Sequence, residues 1–525
     1  MPDSRCLGRL VLQVLTLLAL LPLLFVGCGG GGAERPILVI GLDGATWDIL
    51  DPWIEAGDLP NLAAFRDQSA WGNLRTVVPY LSPPAWTSAV TGVNPGRHGI
   101  FDFQRRIPQG NIILTETARS RRATPIWGML EGEGLRSAFI NIPMTDPPDE
   151  LDGIMVSGFP HVDGTGWSYP AEIEEQYPDY VLDQMEMRLP EGKEDSTLAH
   201  NFAVLEERWK VVRDLYQREE WDLFWAVFTA TDRMQHEFWR FMDPLDPRSV
   251  EDEEVRYRNA VHDLWARVDE ILGELLELAG PETSVLIMSD HGFGPIRREL
   301  RVDPYIRRQT LSATLADYAE EVRSLDPTDA ARLYVHLQGR DPGGILDQEQ
   351  HREVRDELKR VLEAARDPET GDIVVEKAWV KDEVYYGPYA DKGPDVTVLP
   401  ARGYFLVRGD SEQAAGDAVV GPLSISLSGW HAMDGIYLWR GPGFVPGRQD
   451  RHNGRHHNLM DVTPTLLYLL GVDVPEGLDG RVMTGVLEPD RLRGRPVTYQ
   501  PPFEEVFEGG EIDTTGLRNL PYIGG

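Results

Sequence analysis

Cysteine is almost absent: the 525-residue chain has two, Cys6 and Cys28, both within its first 28 residues. The remainder therefore has no disulfide available to it, and packing must hold it together. Positive charge is also scarce, with 51 Lys and Arg against 85 Asp and Glu and a formal net charge of −34. Such a field repels a phosphate backbone, so nucleic acid is not expected as a partner. An anionic substrate must instead be held by local positive charge. Acidic runs such as Glu251-Asp252-Glu253-Glu254 read as solvated surface. Internal repeats are lacking too, which excludes a solenoid. What is present, 42% hydrophobic and 26% charged residues, excludes a disordered or fibrous chain and suffices for a large core plus a second module.

The N-terminus carries a targeting pattern. Arg5 and Arg9 precede an almost unbroken apolar run from Leu10 to Val26, which ends at Gly27-Cys28 and four further glycines. This is the anatomy of a signal peptide over residues 1–28, followed by a Gly-rich linker over 29–36. A small residue before the cysteine resembles a bacterial lipoprotein signal and implies lipidation of Cys28. An uncleaved anchor is the alternative, since about 17 apolar residues just span a bilayer. Both readings place the body outside the cytoplasm, anchored to a bacterial membrane.

Beyond the linker, Ile37-Leu38-Val39-Ile40-Gly41-Leu42 has the continuous apolar pattern of a strand buried on both faces, and Asp43 follows it. The same grammar recurs at Leu223 to Phe228, which leads to Asp232, and at Val285 to Met288, which leads to Asp290-His291. Helical stripes lie between: Leu205, Trp209, Val212 and Tyr216, then Val261, Leu264, Val268, Ile271 and Leu275. Strands alternating with helices indicate an α/β fold with a mostly parallel central sheet, whose ligands bind beyond the carboxyl ends of the strands. Residues 295–424 have a different texture and read as an inserted α+β cap. They divide the core into 37–294 and 425–490, and a tail rich in proline, glycine and acid occupies 491–525. A last core helix is expected to start with Thr463 as cap and Pro464 at its first position, and to end at Gly471.

Asp43, Asp232, His236, Asp290, His291 and His431 are carboxylates and imidazoles spread over the whole core, a set that suits two adjacent divalent cations better than one closed structural site. Asp232 and His236 are four residues apart and share a face if the segment is helical. Ser82 precedes Pro83-Pro84 and reads as the N-cap of a short helix, where the dipole favours an alkoxide and a phosphate oxygen. It is the candidate nucleophile; a purely capping role is the plainer alternative. Thr87 and Ser88, inside that helix, read as packing or backbone-bonding groups, and Arg97 and His98 as either substrate contacts or turn-fixing groups. His452, His456 and His457 read as solvent-facing; Tyr385 and Tyr386 line a leaving-group pocket or pack the cap.

Gly41-Leu42-Asp43-Gly44, the Ser82 helix with Val90-Thr91-Gly92, Pro95-Gly96-Arg97-His98-Gly99-Ile100, Asp232 to His236, Asp290-His291-Gly292 and Gly429-Trp430-His431 occur in this order. The order resembles the type I phosphodiesterase and nucleotide pyrophosphatase family of the alkaline phosphatase superfamily. The resemblance implies an alkaline-phosphatase-like three-layer sandwich and two metal sites, one holding Asp232, His236 and His431 and the other Asp43, Asp290 and His291. It further implies that Ser82 attacks phosphorus to give a phosphoseryl intermediate that is then hydrolysed, with zinc as the usual metal and manganese admitted by the same ligand types. A small-molecule or lipid phosphate ester, most simply a diester, is the implied substrate. Phe103 stands where nucleotide pyrophosphatases carry a phosphate-contacting asparagine, which puts nucleotide specificity in question. Ser82 and Pro84 match the sulfatase maturation motif, but Trp86 replaces its arginine. Phosphomonoester, sulfate and phosphonate hydrolysis remain the enzymatic alternatives. A lipoprotein that only binds phosphorylated envelope components is the non-catalytic one.

Overall fold

The computed structural model describes residues 36–107, 112–161, 164, 166–183, 192–248, 255–309, 322–323, 329–341, 343–409 and 419–503. The signal peptide with Cys28, linker residues 29–35, the acidic run at 251–254 and tail residues 504–525 lie outside the described residues.

One sheet organises the chain. Its strands are β1 (Ile37–Leu42), β2 (Ala70–Arg75), β3 (Ser137–Ile142), β4 (Gly153–Ser157), β5 (Ser168–Tyr169), β6 (Leu223–Phe228), β7 (Ser284–Met288), β8 (Asp434–Arg440) and β9 (Gly447–Arg448). They lie in the order β9-β2-β8-β7-β1-β6-β3-β4-β5. β1 is parallel to both β6 and β7, and β3 is parallel to β6 and β4. Only β8 and β5 run against the rest.

The apolar runs explain the layering. Leu38, Ile40 and Leu42 enter one apolar core while Ile37 and Val39 enter the other, and β6 divides Phe224, Ala226 and Phe228 from Leu223, Trp225 and Val227 in the same way. Helices Glu194–Arg218, Ala230–Met242 and Ala260–Ala279 cover the first face. Ser82–Thr91 and Val462–Leu470 cover the second. The stripe Val261, Leu264, Val268, Ile271 and Leu275 is fully buried, and each such side chain contributes on the order of 1.5–3 kcal/mol.

Register then fixes where polar groups emerge. Leu42 lies opposite Phe228 and Gly41 opposite Met288, so the segments after β1, β6 and β7 leave the sheet at one edge. After β7 the chain enters a long strand, Gly292–Arg301, whose first half pairs antiparallel with Gly429–Ala432 and places Phe293 opposite His431. Its second half pairs with Gly403–Val407 and Val420–Pro422. The chain between these points builds a further four-stranded sheet against helix Gln348–Glu363, with an apolar cluster of its own that includes Leu333, Val354, Leu358 and Val398.

Three local readings are corrected. The helix expected to be capped by Ser82 has Leu81 at the cap and Ser82 as its first residue, because the two following prolines fix φ from the first turn onward. Its hydroxyl is thereby released from capping. Thr463 is likewise inside its helix, behind Asp461, and its Oγ1 donates to Ala89 O at 2.6 Å to tie the two helices of that face together. Of the three histidines read as solvent-facing, His457 is buried edge-on against Tyr437. Gly471 ends the Val462–Leu470 helix in the left-handed conformation.

Candidate active site

Asp43 follows β1 directly. Its backbone N–H donates to Phe228 O at 3.1 Å and its own carbonyl accepts from Thr231 Oγ1 at 2.6 Å. These two bonds lock the end of β1 to the end of β6. The next residue, Gly44, has a φ of +68°, and a side chain there would press on Asp232 and Phe293. Helix Ala230–Met242 starts immediately after β6 and carries Asp232 and His236 on one face. Ser289, Asp290 and His291 follow β7, with Ser289 Oγ donating to His291 O to hold the turn.

These elements bring six groups together in two buried sets of three. In each set, Asp232, His236 and His431 or Asp43, Asp290 and His291, the ligand-capable atoms lie within 4.8 Å of one another. The sets are contiguous, because the His291 and His431 rings stack with centroids 3.8 Å apart. All three imidazoles are oriented alike. His236 Nδ1 lies 2.9 Å from Gly429 O, His291 Nδ1 3.0 Å from Gly292 O and His431 Nδ1 3.1 Å from Tyr80 O. A carbonyl can only accept, so each Nδ1 donates, and in the neutral ring each Nε2 turns its lone pair to the centre. His236 Nε2 and His431 Nε2 are 2.9 Å apart in consequence. Facing lone pairs at that distance repel unless a cation lies against both.

The carboxylates make the same demand. Asp43 Oδ1, Asp232 Oδ1 and Asp290 Oδ2 are buried and accept no hydrogen bond. Burial and the charge of Asp290 push Asp43 well up, and burial and the charge of Asp232 push Asp290 up to about 8. Burial acts on Asp232 in the same sense, and only the positive charge that His236 and His431 carry when protonated outweighs it and holds that carboxyl well below its ordinary value. Burial, reinforced by His431, lowers His291, and burial lowers His431. Neutral imidazoles and carboxylates without donors are the donor set of divalent cations, and the residues present fit two of them.

Ser82 lies against this site. Its Oγ is 3.3 Å from His291 Nε2, and with that nitrogen unprotonated the hydroxyl is the donor. Pro83 and Pro84 have no N–H, so the helix end that should favour a phosphate oxygen is short of donors. The positive charge must come from elsewhere. Trp86, one turn on, donates from Nε1 to Asp43 Oδ2 at 3.0 Å, and its ring fills the space a Cβ on Gly41 would need, 2.6 Å away. The four-residue spacing from Ser82 was the signal for this role. Tyr80 carried no such signal, since its contribution is a backbone carbonyl; its hydroxyl donates to Val398 O at 3.0 Å.

The remaining candidates are structural. Thr87 Oγ1 donates to Pro83 O at 2.7 Å. Ser88 Oγ pairs with the fully buried His98 Nε2 at 2.9 Å, so His98 fixes its turn. Arg97 reaches Gly477 O and Asp479. Tyr385 is buried against Thr397, and Tyr386 is exposed. Among the described residues, no helix is long and apolar enough to cross a membrane.

Comparison with known proteins gives the family and the fold. A model of the type I phosphodiesterase / nucleotide pyrophosphatase family matches residues 37–434. Human ectonucleotide pyrophosphatase/phosphodiesterase family member 1 is 29% identical over 134 residues, which are 24% of this chain and 14% of that protein. Murine ectonucleotide pyrophosphatase/phosphodiesterase 5 superposes with a TM-score of 0.51 at 17% identity, over 86% of this chain and 100% of that one. Phosphonoacetate hydrolase from Sinorhizobium meliloti, in complex with phosphonoformate, gives 0.53 at 16% identity, over 84% and 96%. These neighbours share the alkaline-phosphatase-like fold.

Proposed function

Because the chain belongs to the type I phosphodiesterase / nucleotide pyrophosphatase family, we propose that it hydrolyses a phosphodiester outside the cytoplasm with Ser82 as nucleophile and two divalent cations as cofactors. The family is metal-dependent. Here Asp232, His236 and His431 would hold one cation and Asp43, Asp290 and His291 the other. Bound there, the cations supply the positive charge that the phosphoryl oxygens and the ionising hydroxyl need. Mixed imidazole and carboxylate donors favour zinc.

One observation carries the reading. Residues 80–82 touch both sets, Tyr80 through its carbonyl to His431 and Ser82 through its hydroxyl to His291. Ser82 thus presents the side-chain oxygen at their junction. Two prolines hold the turn behind it and fix the backbone that carries the hydroxyl. Attack forms the Ser82–phosphorus ester and expels the leaving alkoxide; water then cleaves the ester and returns the hydroxyl. Support for export and lipidation at Cys28 comes from the sequence of residues 5–28.

The test compares a zinc-loaded protein beginning after residue 28 on an aryl phosphodiester and the matching monoester. A diester preference is expected. A monoester preference would make the protein a phosphatase, and inactivity on both would overturn the reading. Trp86→Phe removes the N–H donor to Asp43, and is expected to weaken metal binding by about tenfold or more. Competition against a chelator reads that change.

A further inference from the structure

In a chain with 85 acidic and 51 basic residues, one region is locally of the opposite sign. Arg105, on the strand Gln104–Ile107, lies against the buried carboxylate Glu116, and the charges of Arg105 and Arg122 both act on Lys392. Arg105 Nε lies 3.4 Å from Glu116 Oε2. Among the described residues neither Arg122 nor Lys392 has an ion-pair partner. Gly99 lets them approach: a Cβ there would lie 3.3 Å from Arg122 Cγ and 3.5 Å from Tyr389 Cγ, and Lys392 Nζ stands 4.7 Å above the Tyr389 ring. Burial, then the charges of Arg105 and Arg122, lower the pKa of Lys392. Mutual repulsion is therefore left standing where the chain has acids to spare.

The cluster is joined to the site by an aromatic step. Arg233 follows Asp232, and its guanidinium lies 5.0 Å over the Phe159 ring. Phe159 stacks on the half-buried Phe103 with centroids 5.7 Å apart. Phe103 O accepts from Glu116 N at 2.8 Å, and Arg105 is two residues further along the chain. From Arg233 to Arg105 the path is on the order of 15–20 Å, from ring stacking and strand rise. Phe103 and Phe159 together make this step apolar.

We propose that Arg105, Arg122 and Lys392 form a second anion subsite, which binds a phosphate or carboxylate carried on the distal end of the leaving group while Phe103 supports the segment between. The inference rests on phosphodiester hydrolysis at Ser82 and gives that site its substrate class: an elongated diester with a further negative charge. Lys392 comes from the segment between β7 and β8, whereas Arg105 and Arg122 come from the chain before β3, so the ligand would bridge the two.

The experiment uses the metal-loaded full chain and two phosphodiesters that differ only in a terminal phosphate on the leaving group, with a terminal carboxylate as a third arm. The readout is the ratio of kcat/KM for the charged over the neutral diester. In R122Q/K392Q this ratio is expected to fall by about tenfold or more, through KM, because two charge-assisted contacts are lost. Raising salt from about 0.05 to about 0.5 M should lower the same ratio in the unmodified protein. An unchanged ratio overturns the proposal, whether both rates fall or neither does. Isothermal titration of inorganic pyrophosphate separates this from a failure of the hydrolytic reading. One bound equivalent should disappear in R122Q/K392Q even if no diester is turned over, and equal stoichiometry in the two proteins would sink the subsite by itself.

Discussion

Ser82→Ala is expected to lower kcat on an aryl phosphodiester by at least about 10³-fold while metal content and folding stay as they were. Retention of metal follows from the geometry, since the six carboxylate and imidazole groups are complete without the serine. Retention of fold follows from the helix start. Ser82 is the first helical residue and caps nothing; Pro83, Pro84 and the bond from Ala85 N to Leu81 O at 3.0 Å keep the turn. The substitution leaves His291 Nε2 without its hydroxyl donor, but a nitrogen lone pair facing a cation does not need one. Stability should therefore move by about 1 kcal/mol or less. The measurements are turnover, metal analysis and thermal unfolding of the same preparation. A variant that keeps near-normal turnover removes Ser82 as nucleophile. One that loses metal with activity would make the serine a ligand first.

Much of this architecture could be read before folding, for a physical reason. A strand buried on both faces has no polar position to spare, so β1, β6 and β7 appear as unbroken apolar runs and the polar residues that follow stand out. The four-residue spacing of Asp232 and His236 made a shared helical face legible, and helix Ala230–Met242 provides it. Groups that act through the backbone were not legible. Gly429 O, Gly292 O and Tyr80 O set the tautomers of the three histidines, yet any residue type supplies a carbonyl. Contacts between distant segments were hidden as well: Phe103 meets Phe159 only because strands β3 and β4 bring residues 141–159 beside the hairpin that starts at Gln104. The reading of Ser82 as a cap failed by one residue. Serine is a good N-cap, but a proline pair fixes φ earlier than the side chain can intervene, and Leu81 takes the cap with no side-chain bond.

The same buried charges set a second large effect, on the stability of the metal-free protein between pH 6.5 and 8. Burial and the charge of Asp232 push the folded pKa of Asp290 up to about 8, far above the ordinary carboxyl range, so its proton-linked stability is present at low pH and lost as pH rises through 8. Asp43 is raised and acts in the same direction. His291 and His431 are lowered from 6.5, so below that pH the unfolded chain takes up protons that the folded chain refuses, and stability rises with pH there. Below 6.5 the two trends oppose one another; above it the histidines have finished and only the carboxylates act. Asp232, held low, titrates below 3.8 and contributes nothing in this window. Over 1.5 pH units Asp290 alone would remove about 2 kcal/mol. Cations that pair with the ionised carboxylates cancel this loss and bind more tightly as the protons leave. Thermal unfolding in chelator should thus show a falling midpoint from pH 6.5 to 8, while the zinc-loaded protein holds its own and the gap between them widens. A metal-free midpoint that stays level, or a gap that narrows, would mean that the carboxylates share their charge with something other than a metal.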